Sequence, residues 1–227
     1  MVADNFSRMA RRSFMAGAGT TALVALAGCQ SLPAFSLTEA IRRLLMLASM
    51  NALNRLMAPG GFWDNQLARL ALPEMFGNRG GVAQAILTSA PVKLRLQREL
   101  NHVAESGARR AAPMIADTVR MIGIDNAEAL VRGGPGAATA FLRSAMNGNL
   151  IEAMVPALGD GLRIASDPIV GQAIAALTGV DVTGVARSLS READDAIWAE
   201  MGREEASIRA NPQATNDPVL MGVFWVR

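Results

Sequence analysis

The chain has one cysteine, one histidine, one lysine and no tyrosine among its 227 residues. The lone cysteine, Cys29, excludes an intramolecular disulfide and any thiolate metal cluster. The lone histidine, His102, leaves too few imidazoles for a histidine-based metal site, and no cofactor is expected. Aromatic residues make up only 4% of the chain. Strands favour Val, Ile, Tyr and Phe, and no pair of segments alternates with period two, so a sheet is disfavoured. Lys93 is the only lysine; every other basic side chain is arginine. The formal net charge of +2 also proves thin. Arg8, Arg11, Arg12 and Asp4 all precede residue 29, and without residues 1–28 the net charge is zero. A near-neutral body gives no electrostatic argument for nucleic acid.

What is present is an apolar, helix-forming composition: 51% of the residues are hydrophobic, chiefly Ala, Leu and Met. Ala, Leu, Met and Arg are strong helix formers, so the body is predicted to be all-α. Its length suits one domain with a sizeable core.

Residues 1–28 read as an export signal. Arg8, Arg11 and Arg12 form its positive end, and Met15 to Gly28 is an uncharged run of apolar or small residues. As a helix it would reach about 21 Å, short of a hydrocarbon core of about 30 Å, so a permanent spanning helix is disfavoured. Arg11-Arg12 with Phe14 two positions on matches the twin-arginine export pattern. Leu26-Ala27-Gly28-Cys29 matches a lipobox, in which small residues admit the lipoprotein peptidase and the cysteine thiol becomes a thioether to diacylglycerol. Acyl burial contributes about 0.8 kcal/mol per CH₂, and stable anchoring takes more than one chain. In similar lipoproteins an Asp after the cysteine retains the protein at the inner membrane. Gln30 points instead to the inner leaflet of the outer membrane, with the body in the periplasm.

Residues 29–35 are the tether, and residues 36–227 form a single helical domain. Ser36 and Glu39 read as a capping box ahead of a helix whose apolar stripe runs Ile41, Leu44, Leu45, Ala48, Ala52, Leu53, Leu56. Pro59-Gly60-Gly61 stops it. Phe62 to Phe76 reads as an ordered loop, and Val82 to Thr88 as a short helix. Pro91 opens a helical run to Ile122, interrupted or kinked at Pro113. Asp125 caps the next helix, with Glu128 three residues on, and Gly133-Gly134 ends it. Further helices run from Pro135 to about Met146, from about Leu150 to Ala165, over Pro168 to Leu177, from Ser190 to about Ala210, and over Asp217 to Phe224. The expectation is a compact bundle of seven to nine helices.

Several segments, taken in order, resemble a bacterial lipoprotein family catalogued as domain of unknown function 4197. They are Gly61-Phe62 with Asn65, Leu72-Pro73-Glu74, Asn101-His102-Val103-Ala104-Glu105, Met121 to Ala127, Gly133 to Arg143, and Glu204-Glu205 through Asn211-Pro212 to Val223-Phe224. The resemblance spans Ser36 to Phe224. It implies an all-helical periplasmic lipoprotein and supplies no activity. The family pattern has Arg where His102 stands, and a Tyr near the start of the long C-terminal helix that this chain lacks.

Candidate sites each carry two readings. Asn101 and Glu105 lie four apart on one helix face, with Arg143 and Arg209 as possible partners of Glu105. With Asp125 and Glu205 they form either a polar ligand pocket or, preferred, a partly buried ion-pair network. His102 lacks an identifiable orienting partner or nucleophile, so a surface or packing role is preferred. Gly133-Gly134-Pro135-Gly136 could present a helix N-terminus to an anion, but a tight turn is the better reading. Asp194, Asp195, Glu200, Glu204 and Glu205 alternate with Arg191, Arg203 and Arg209 like a solvated, salt-bridged face, with Glu205 and Arg209 a plausible pair. The methionines are expected to fill core more than to line a groove. No nucleophile–base set stands out. The expectation is therefore a non-enzymatic, membrane-tethered binding or structural module of the cell envelope, its ligand an envelope protein, a lipid or a small apolar molecule. The alternative is an envelope hydrolase or other enzyme using Glu105.

Overall fold

The stripe from Ile41 to Leu56 becomes the buried face of helix α1 (Leu37–Met57). Ala58, held extended because proline follows it, ends the helix. The structure, a computed structural model, describes residues 36–72, 89–163 and 182–225. All of them fall within one compact unit, Phe35–Arg227. The remaining α-helices are α2 (Ala90–Met121), α3 (Ala127–Arg132), α4 (Ala137–Met146), α5 (Asn149–Arg163), α6 (Val182–Ala210) and α7 (Pro218–Phe224), with a 3₁₀ turn over Pro212–Thr215. The body is all-α, with no strand among the described residues. The expected helices at 82–88 and 168–177 lie outside those residues, as do Arg11, Arg12, Phe14 and the lipobox Leu26 to Cys29.

Four local expectations change. Ser36 is the N-cap of α1, but its side chain makes no capping hydrogen bond; Glu39 instead pairs with Arg43 at 2.8 Å. α2 runs unbroken through Pro113. Interior proline costs about 3 kcal/mol, and burial of Ala108, Ala111, Ile115 and Val119 on either side offsets it. Asn126, not Asp125, is the N-cap of α3; Asp125 is exposed, and Glu128 pairs with Arg132 at 2.7 Å. α6 begins at Val182 rather than Ser190, because Val185, Ala186 and Leu189 extend its buried stripe. Ser190 is buried inside that helix, where its hydroxyl donates to Ala186 O at 2.8 Å.

Helices α1, α2, α5 and α6 pack as a ring of four neighbours: α1 on α2, α2 on α5, α5 on α6, and α6 back on α1. At one end α1 begins while α2 and α6 finish, and α3, the 3₁₀ turn and α7 gather there. Arg42 on α1 donates to Val119 O at 3.2 Å and Ile122 O at 3.3 Å, satisfying the last carbonyls of α2. Asp217 caps α7 through the N–H groups of Val219 and Leu220, and Arg43 pairs with it at 3.1 Å. At the other end the loop over residues 58–72 folds across the middle of α2. Every core side chain among the described residues lies between Ala40 and Phe224, so the body carries its own core.

Candidate functional site

Asn101 and Glu105 stand on α2 beneath the loop after α1, both almost wholly buried. Asn101 holds the loop by both backbone groups of Leu70: its Oδ1 accepts Leu70 N–H at 2.8 Å and its Nδ2 donates to Leu70 O at 3.2 Å. Glu105 Oε1 accepts Gly60 N–H at 2.8 Å, and Oε2 lies 3.0 Å from His102 Nδ1. Arg109 Nη2 lies 3.9 Å from Glu105 Oε2 and donates to Met57 O at 3.0 Å, on the last residue of α1. The turn is possible because Gly60 adopts φ +79°, a left-handed conformation that disfavours a side chain. Glu105 therefore does not meet Arg143 or Arg209. Helix period and turn geometry place its own α2 neighbours and the α1 turn closer. His102 gains the orienting carboxylate that sequence did not identify, while its ring stays largely exposed.

The same device recurs on α6. Glu205 Oε1 accepts Ala138 N–H at 3.0 Å and Oε2 accepts Thr139 N–H at 2.7 Å, in the first turn of α4. Arg209, four residues on, pairs with Glu205 at 2.8 Å. It also donates to Val131 O at 3.0 Å and Leu130 O at 2.9 Å at the end of α3, and stacks over Phe224 at 4.8 Å. The helix N-terminus after Gly136 (φ +88°) does hold an anion, and that anion is the chain's own Glu205. Glu105/Arg109 and Glu205/Arg209 thus act alike. In each, the carboxylate takes backbone N–H at a glycine turn, that of Gly60 for Glu105 and those of Ala138 and Thr139 for Glu205. The guanidinium takes carbonyl oxygen at the end of the helix before it, Met57 O for Arg109 and Leu130 O and Val131 O for Arg209. The spacing Glu-x-x-x-Arg occurs at both places in the sequence, and that was the signal available for the first pair.

The carboxylates of α6 do not form one solvated face. The helical period puts Asp194 and Glu205 on one face, toward α4, and Glu200 on another, toward α1; all three are buried between neighbouring elements, while Asp195 stays outside. Glu200 receives Arg55 Nε at 2.9 Å from α1 and Asn65 Nδ2 at 3.2 Å from the loop, and also pairs with Arg203. Glu204 receives Asn51 Nδ2 at 3.0 Å and pairs with Arg55. Arg143 on α4 meets Asp194 at 2.9 Å and pairs with Asp195. Trp198 Nε1 donates to the other oxygen of Asp194 at 2.8 Å. Burial pushes the Asp194 carboxyl up, with Trp198 and Arg143 holding it back only in part. This ion pair borders a cleft of about 450 Å³ that also takes in Asn147, Ile151 and the edge of Trp198. Asp125 joins none of these networks. The described methionines divide, with Met146, Met154 and Met201 in the core and Met50 and Met121 exposed.

A ring of four helices, with buried carboxylates and their arginines clamping the loops and short helices onto it, defines an all-helical module. The chain belongs to the family described as protein of unknown function, DUF4197, which matches it over residues 31–225. Neither the curated proteins nor the solved structures contain a match to it.

Proposed function

We propose that this is a lipid-anchored protein of the cell envelope whose helical body is a non-enzymatic binding or structural module. Its address rests on one ordered constellation: Arg11-Arg12 with Phe14, an uncharged run, and Leu26-Ala27-Gly28-Cys29. Residues 1–28 are removed, Cys29 carries the lipid, and Gln30 directs the protein to the inner leaflet of the outer membrane. The family match begins at residue 31, two residues after Cys29, which supports a body that follows the cysteine and excludes the run before it. No helix among the described residues is long and apolar enough to cross a membrane. Cys29→Ala is expected to abolish labelling by a radioactive fatty acid and to release the body from membranes; continued attachment would refute the anchor. Arg11→Lys/Arg12→Lys is expected to block export, and normal export would exclude the twin-arginine route.

The non-enzymatic reading rests on what surrounds the buried carboxylates. Glu105, Asp194, Glu200 and Glu205 each have both oxygens engaged by protein donors, whereas an acid or base must reach the proton it transfers. One observation favours the enzyme alternative: Glu105 orients an exposed His102 at 3.0 Å, as a base is oriented in a catalytic dyad. Turnover of an envelope substrate that Glu105→Gln and His102→Gln both abolish, with the fold intact, would establish that alternative and end the binding reading.

A further inference from the structure

The near-zero net charge of the body hides an uneven distribution. Most described arginines are matched: Arg43, Arg55, Arg143, Arg187, Arg203 and Arg209 each sit in an ion pair, while Arg110 on α2 and Arg191 on α6 are exposed with no described carboxylate. At the end of the bundle formed by the 58–72 loop and the start of α2, three such arginines gather. Arg69, Arg95 and Arg98 are exposed and pair with no described carboxylate. Arg69 and Arg98 lie over the Trp63 ring, at 4.6 Å and 5.2 Å from its centroid, and Arg69 also donates to Trp63 O. Leu94, one helical turn before Arg98, is 48% exposed, and Leu67 in the loop is 69% exposed. The acidic groups nearby are Asp64, which is exposed, Glu99, which is half-buried and otherwise engaged, and Glu192 on α6, which is half-buried and takes the backbone N–H of Ala71.

Two guanidiniums held on an indole, with apolar side chains beside them, match a membrane interface better than an acidic protein. Tryptophan and arginine suit the headgroup level, leucines enter the acyl boundary, and anionic lipid supplies the missing counter-charge. The loop is also rigidly placed, because Asn101 and Gln97 hold Leu70 and Glu105 holds Gly60. We infer that this face, centred on Trp63, Arg69 and Arg98 with Leu67 and Leu94, docks the body on an anionic phospholipid surface. Docking of this kind would orient the body against the bilayer, and it stands independently of acylation at Cys29.

The test uses the body from Gln30 onward, which contains no cysteine, with Leu67→Cys carrying an environment-sensitive dye. Equimolar phosphatidylglycerol and phosphatidylcholine vesicles are expected to shift its emission to the blue, and pure phosphatidylcholine vesicles are not. Each neutralised arginine lowers membrane partitioning about fivefold, so Arg69→Gln/Arg95→Gln/Arg98→Gln should raise the lipid needed for half the shift about a hundredfold. The matching lysine triple variant should retain binding, and high salt should weaken it. A control dye at Glu128→Cys, on α3, should stay unshifted. An equal shift on neutral vesicles, no shift on either, or an unchanged glutamine variant would overturn the inference. Binding to polyglutamate without binding to vesicles would reassign the face to an acidic protein. Circular dichroism of each variant separates lost docking from lost fold, and continued membrane attachment of Cys29→Ala in cells bears on the anchor alone.

Discussion

Replacing Glu205 with alanine is the most direct test of the clamp. The wild-type carboxylate satisfies two N–H groups in the first turn of α4 and pairs with Arg209, whose side chain is only 10% exposed. Removal leaves a nearly buried guanidinium without its counter-ion and two donors without acceptors. Breaking a buried pair costs about 3–5 kcal/mol, and each orphaned buried donor about 1–3 kcal/mol. These losses overlap, because Arg209 keeps the carbonyls of Leu130 and Val131 and water can enter the vacated space, so about 4 kcal/mol is expected. That is a large part of the 5–15 kcal/mol typical of a domain, and at about 2–4 °C per kcal/mol it lowers Tm by roughly 8–16 °C. Urea unfolding followed by circular dichroism at pH 7 measures it as a lower midpoint at constant slope. Glu205→Gln, which keeps one acceptor oxygen, should cost about half as much. Glu205→Ala/Arg209→Ala should cost less than the sum of the two single changes. As a control, Glu128→Ala, in an exposed pair with Arg132, should stay within about 1 kcal/mol. A loss below about 1 kcal/mol for Glu205→Ala would show that the clamp is not a source of stability.

Other outcomes follow from the same geometry. Gly61→Ala should be destabilised well beyond the about 0.4–1 kcal/mol that a compatible Gly→Ala change adds, because its Cβ would stand 2.2 Å from Arg55 O. Gly134→Ala has nothing within 4 Å of its Cβ and should be neutral or slightly stabilising in the same urea assay. His102→Arg should preserve stability and His102→Ala should lower it modestly, since either Arg or His can donate to Glu105; equal melting of the alanine and wild-type chains would dismiss the contact. Asp217 and Asp194 should respond to acid in opposite senses. Burial alone would raise Asp217, but the Leu220 and Val219 N–H groups and Arg43 outweigh it and hold the carboxyl below its ordinary value of 3.8. Its stabilisation is therefore complete above that value and lost as pH falls through the lower folded value. Asp194 is raised, chiefly by burial, so its contribution is complete below 3.8 and lost as pH rises through the higher folded value. Stability measured against pH should accordingly lose part of its acid slope in Asp217→Asn, and Asp194→Asn should change the slope the other way; unchanged profiles would reject both assignments.

The sequence alone determined the fold class and most helix boundaries, because those depend on local period and on proline and glycine. The α1 stripe, the stop at Pro59, the turn at Gly133 and the cap at Asp217 are written within a few residues of where they act. The Glu205–Arg209 pair was legible for the same reason, being four residues apart on one helix. The lipobox pattern Leu26-Ala27-Gly28-Cys29 is likewise a linear signal, and the proposed address rests on it. Tertiary structure decided the rest. Only packing shows that Glu105 serves Gly60, that Arg143 serves Asp194, and that Glu200 is buried against α1. A helix in isolation presents its carboxylates to water, and only its neighbours determine which of them are enclosed. The matched and unmatched arginines are equally invisible in a net charge of zero, since pairing depends on which helix ends meet. The Trp63 face, with its three unpaired arginines, exists only because the loop after α1 is pinned across α2.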